Sequence, residues 1–139
     1  MARLGANAGW SENYAQDLTE ASTLASGDSG KIFYLNSATE FTTTLPACSG
    51  NAGFSVTFIV KAAPSGANYV ISSASSSDYI LGSVVDGAGT VDTSDGTDTN
   101  VNFINGQAVV GDWVKLTCDG SSWYIVGGLG KVAAGITIN

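Results

Sequence analysis

Residues 54–60 read Phe-Ser-Val-Thr-Phe-Ile-Val, and Phe54, Val56, Phe58 and Val60 recur at every second position. Only an extended chain puts such residues on one face, because a helix repeats every ~3.6 residues. This is the clearest strand signal in the chain, and similar short runs flank it. Residues 31–35 are β-branched and aromatic. Residues 40–45 place Phe41, Thr43 and Leu45 on one face and stop at Pro46. Residues 69–72 and 79–81 follow, separated by a serine-rich stretch. Residues 101–104 and 108–110 flank Asn105-Gly106, a strong hairpin dipeptide, and a hairpin is predicted there. Residues 112–118 put Val114, Leu116 and Cys118 on one face, and Asp119-Gly120 turns the chain into residues 122–126. Residues 136–138 supply a last strand, and residues 86–100 read as a long polar loop.

Many short strands with turn residues between them, and no long amphipathic helix, define an all-β fold: a compact β-sandwich or barrel, jelly-roll-like. The first residues differ. From Ala2 to Asp17 there is neither alternation nor a helical stripe, and Gly5 and Gly9 interrupt the run. The reading is an extended N-terminal arm over 1–28 and a β domain over 29–139. A short helical turn over 12–18, with Ser11 as its N-cap, fits the arm. Trp10 and Tyr14 are large aromatics in polar surroundings. Either they fold back onto the domain, or they anchor to a neighbouring protein, where aromatics dominate contact energies. The sequence leaves both open.

Composition narrows function. The 139 residues contain no histidine, and five Lys and Arg stand against twelve Asp and Glu, a formal net charge of -7. Imidazole acid–base chemistry and imidazole zinc sites are excluded. Arg3, Lys31, Lys61, Lys115 and Lys131 are scattered and form no patch for phosphate backbones, so no nucleic-acid partner is expected. No apolar run approaches the ~20 residues of a membrane span. Residues 1–10 lack the apolar core of a secretory signal, so none is expected. Cys48 and Cys118 are too few for a disulfide scaffold, and two reduced, buried thiols are favoured over a bridge.

Candidate chemistry is sparse. Serines and Cys48 have no histidine to activate them. Asp78, Asp112 and Asp119 flank strands, but Asp112 and Asp119 read as turn residues rather than as a glycosidase pair. The segment 92–98 carries Asp92, Asp95 and Asp98, hard oxygen ligands at close spacing, yet not in the register of a calcium-binding helix-loop-helix. A metal-free polar loop is favoured. Trp113, Trp123 and Tyr124 lie on two strands of one predicted hairpin, where cross-strand packing in the core or at a subunit interface explains them better than a sugar platform. No catalytic, cofactor or metal site is expected.

Three stretches together resemble a known family. They are Thr23-Leu-Ala-Ser-Gly-Asp-Ser-Gly-Lys-Ile-Phe-Tyr-Leu35, then Thr44-Leu-Pro-Ala47 followed by the Phe-rich strand 53–60, then the closing hairpin from Val110-Gly-Asp-Trp-Val-Lys-Leu116 to Asp119-Gly-Ser-Ser-Trp-Tyr124. In this order, over residues 23–127, they resemble the capsid decoration (cement) proteins of tailed phages. The resemblance implies a non-enzymatic virion protein, made in the host bacterial cytoplasm and placed on the outer capsid surface. It implies a homotrimer that bridges major capsid protein subunits and stabilises their lattice. Arg3, Leu4, Trp10, Tyr14 and Leu18 become the expected capsid-contact arm, by analogy of position. Related modules occur in tail fibres, so the alternative is a receptor-binding, glycan-binding module using Tyr79, Trp113, Trp123 or the 86–100 loop.

Overall fold

The computed structural model describes residues 14–139. Its strands are β1 (Ala15–Leu18), β2 (Ser22–Thr23), β3 (Ile32–Leu35), β4 (Thr42–Thr44), β5 (Ser55–Val60), β6 (Tyr69–Ser72) and β7 (Ile80–Leu81). They continue with β8 (Ser83–Asp86), β9 (Val91–Thr93), β10 (Asn100–Phe103), β11 (Trp113–Cys118), β12 (Trp123–Gly130) and β13 (Ile136–Ile138). The protein is all-β, a sandwich of two mixed sheets. The larger has the order β1-β3-β5-β11-β12-β8-β9, with β7 also on β12, and the smaller has the order β13-β10-β6-β4-β2.

The first six strands alternate between the sheets, so neighbours within each sheet run parallel: β1 with β3, β3 with β5, β2 with β4, and β4 with β6. The chain thus winds as a flattened coil, where a jelly roll would set antiparallel neighbours. From β8 onward antiparallel pairs predominate, including β8 with β9 and β11 with β12, while β8 also pairs parallel with β12.

The core follows the period of two. Phe54, Val56, Phe58 and Val60 are buried between the sheets, as are Phe41, Thr43 and Leu45, and Val114, Leu116 and Cys118. Phe33 stacks on Phe58 with ring centroids 5.9 Å apart, and Phe54 meets Trp123 edge-on at 5.5 Å. Buried Tyr69 satisfies its hydroxyl by accepting from the Ser37 amide and sharing its one proton between the carbonyls of Ser37 and Ala62. Each such ring removes ~150–250 Å² from water.

Three expectations need correction. Residues 15–18 form β1, not a helical turn. Leu18 is buried in the core, and the Tyr14 and Leu18 carbonyls accept from Ile32 and Asn36. The open edge of β3 offers a ladder that a lone helical turn cannot match. With β2, buried Leu24 and the 3-10 turn Ser26–Asp28 also integrated, the β body extends back to residue 15, and residues 15–28 are not arm. Second, Asn105-Gly106 turns the chain but opens no hairpin. The amides of Gln107 and Ala108 both donate to Ile104, and no strand covers 108–110. Both edges of β10 are already taken, by β6 and β13. Third, the polar loop starts with structure: β8 and β9 pair across residues 87–90, and the Asp86 carboxylate takes the Ala88 and Thr90 amides.

Gly87 packs against the backbone where β12 ends, and a Cβ there would overlap the Lys131 carbonyl. Gly87→Ala should therefore cost about 2–3 kcal/mol in urea unfolding, because a backbone carbonyl cannot rotate away as a side chain can. Gly27→Ala, with open space around it, should change stability by less than about 0.5 kcal/mol.

Candidate interaction surface

The outward face of the larger sheet carries a row that strand register assembles from six strands. Tyr34 on β3 lies beside Ile59 on β5, Ile59 beside Trp113 on β11, and Trp113 beside Leu129 on β12. Leu129 lies beside Val85 on β8, and Val85 beside Val91 on β9. All but Val91 are apolar residues out of phase with buried neighbours on their own strands; β9 has no buried residue. Leu129, Val85 and Val91 are 45%, 40% and 53% exposed, and Tyr34, Ile59 and Trp113 are half-buried. Five strand spacings give the row a length of about 24 Å.

Local packing fixes this row. The Trp113 ring packs against Gly127, where a Cβ would approach it to 2.9 Å. A β-bulge between Lys115 and Leu116 leaves Val126 without a partner on β11 and re-phases β12 so that Leu129 points outward. At the β3 end, Tyr34, Ile59, Lys61, Val110 and Gly111 line a shallow apolar groove of about 270 Å³. Lys61 bridges there to Asp17 at 2.8 Å and sits 5.7 Å from the Tyr34 ring centroid. That ammonium, with the Asn36 amide, holds the Asp17 carboxyl below its usual range.

The sequence-derived aromatics do not form one site. Trp123 is core. Trp113 belongs to the outward row. Tyr124 is exposed beside Asp119, whose carboxylate raises the phenol's pKa. The expected cross-strand pairing of Trp113 with Trp123 fails because the two lie at opposite ends of the hairpin: Trp113 opposes Leu129 and Trp123 opposes Cys118. Of the expected arm residues, Arg3, Leu4 and Trp10 lie outside the described residues, Tyr14 is on the surface beside Gly30, and Leu18 is in the core.

The carboxylates considered for catalysis or calcium serve backbone amides. Asp112 accepts from Val109 and Lys131, Asp78 from Cys48, and Asp119 from Ser121 and Ser122. In the acidic loop, Asp92 accepts from Ile138, Asp98 from Asp95, and Asp95 from Thr97. The amides of Ala134 and Thr90 hold the Asp86 carboxyl below the ordinary range. A cleft of about 300 Å³ between β8–β9 and residues 133–137 contains Asp86 and Asp92, and both stitch the C-terminal segment to that hairpin. Among the described residues no group of three or more His, Cys, Asp or Glu side chains is placed to hold a metal, and no helix is long and apolar enough to cross a membrane.

No family model matches the chain, and no curated protein or solved structure matches it either.

Proposed function

We propose that this chain is a capsid decoration protein. It is a non-enzymatic virion component that binds the outside of a phage head as a homotrimer and stabilises the major capsid protein lattice. The observation that carries the reading is the apolar row Tyr34–Ile59–Trp113–Leu129–Val85–Val91. Contiguous exposed apolar surface on a polar domain marks a contact with another protein. This row is built on strands rather than loops, which suits a rigid clamp between capsid subunits or between copies. A three-fold assembly would present each contact three times, so that modest single contacts sum to firm attachment. The carboxylates, committed to folding, leave little for a reaction. The protein would be made in the host cytoplasm and reside on the outer capsid surface.

The experiment mixes purified chain with expanded capsid shells that lack it. Co-sedimentation, a higher shell melting temperature and a trimeric native mass are expected. Absence of shell binding overturns the reading, and a monomeric native mass overturns the trimer. Because β1 is part of the sandwich, the arm is tested by deleting residues 2–13 only. That deletion should weaken shell binding and leave the unfolding transition in place.

A further inference from the structure

We propose that Cys48 and Cys118 are a dithiol that closes to an internal disulfide when the folded chain meets a low-molecular-weight disulfide oxidant. This holds whether or not the chain binds capsids. Cys48 lies in the connection from β4 to β5, and Cys118 ends β11. The Cys118 thiol donates to the Cys48 carbonyl at 3.5 Å, which sets the two residues against each other. Their backbones are each tied to the 51–54 segment, independently of the sulfurs. Cys118 donates its amide to Phe54 at 3.0 Å and accepts from Gly53 at 2.7 Å, while the Cys48 carbonyl accepts from Asn51 and its amide donates to Asp78. Anchorage to one short segment keeps the two residues adjacent and so lowers the usual obstacle to a new disulfide, which is backbone movement. A metal is the other common use of two adjacent thiols, and it fails here for want of a cluster of three ligands among the described residues.

Both side chains are buried, Cys118 at 3% and Cys48 at 0% exposure, but their settings differ. Cys118 adjoins the Asp119-Gly120 turn, and its sulfur accepts the Gly120 amide at 3.2 Å. Cys48 is wholly buried, and burial together with the neighbouring thiol pushes its pKa well up. The order of events follows. The Cys118 thiolate attacks one sulfur of RSSR, forming a mixed disulfide and releasing RSH. Cys48, losing its proton, then attacks the Cys118 sulfur and displaces the second RSH. One S–S bond forms in the protein, the oxidant's S–S bond is broken, and two electrons and two protons end on two RSH. The scarce Cys48 thiolate makes the second step slow. The chain thus remains a dithiol in a reducing cytosol and becomes cross-linked in an oxidising medium. The bridge would close a loop of about 70 residues (118 minus 48).

The test incubates the folded full chain with oxidised glutathione at mildly alkaline pH for up to two days. It follows intact mass, thiols titratable after denaturation, and thermal unfolding. The expected result is a mass loss of about 2 Da, no remaining thiols, and a melting temperature higher by roughly 5–15 °C that dithiothreitol reverses. Cys48→Ala should instead stop at a glutathione adduct on Cys118. The proposal is overturned if the wild-type chain keeps both thiols, or if it too stops at the adduct. The wild-type measurement decides the matter even if the variant fails to fold.

Discussion

Asp112→Ala is expected to lower the stability of the protein by about 3–5 kcal/mol, more than any surface change. The residue is fully buried in the turn that precedes β11. Its Oδ2 accepts the Val109 amide at 3.0 Å and its Oδ1 the Lys131 amide at 2.9 Å. Its own carbonyl accepts the Val60 amide at 2.8 Å. One side chain therefore clasps the 109–111 turn and the end of β12, and its backbone holds the end of β5. Alanine removes the acceptor of both amides at a fully buried position, and an orphaned donor costs about 1–3 kcal/mol where water cannot reach it. Asp112→Asn keeps one oxygen but turns an NH₂ toward an amide N–H, so it should recover less than half of the loss. Urea unfolding should report a lower midpoint with an unchanged slope. A loss below about 1 kcal/mol for alanine would show that the clasp is not needed.

Asp112 also illustrates what the sequence can and cannot convey. Placed after Gly111, it reads as a turn residue, and a turn is where it sits. That it reaches 19 positions along the chain to Lys131 depends on tertiary placement, which no local pattern records. The same division runs through the fold. The alternating stretches 54–58 and 114–118 are legible because each face there has its own chemistry. The Asp119-Gly120 hairpin is legible because the turn and both strands are local. The Asn105-Gly106 hairpin fails although its dipeptide is as strong, since β6 and β13 occupy β10 from outside that stretch of sequence. Parallel pairing of β1, β3 and β5 joins segments through long connections and leaves no short-range mark. β1 has a single buried residue, Leu18, so it carries no period to detect and reads as arm. The interaction row did leave a signal. Tyr34, Ile59, Trp113 and Val85 each stand directly beside a buried apolar neighbour, breaking the alternation on the side that ought to be polar. Such out-of-phase residues mark a sheet face that is apolar on both sides. Only the register shows that they align.

Alignment is what the second large effect depends on. Leu129→Lys and Leu129→Glu should each weaken shell binding at least 100-fold, or about 3 kcal/mol. Leu129 lies between Trp113 and Val85 near the middle of the row, where a contact would be most fully desolvated. A charge there must shed its water with no partner supplied. At 45% exposure in the free chain, the position tolerates either charge with a folding cost under about 1 kcal/mol. Loss of binding without loss of the unfolding transition would thus report on the contact itself. Using both signs separates two physical causes. If apolar burial drives attachment, Lys and Glu are equally damaging. If charge complementarity drives it, one of them binds better than the other by a margin that shrinks with added salt. Ser76→Lys is the control: it is exposed in the loop leading to Asp78, which bonds Cys48 at the end of β5 remote from Ile59, and it should alter binding less than 2-fold. Native mass assigns the face. A monomer would place the row between copies, and a trimer that no longer sediments with shells would place it against the capsid. Normal binding by both Leu129 variants would remove the row from either role, and with it the observation on which the decoration reading rests.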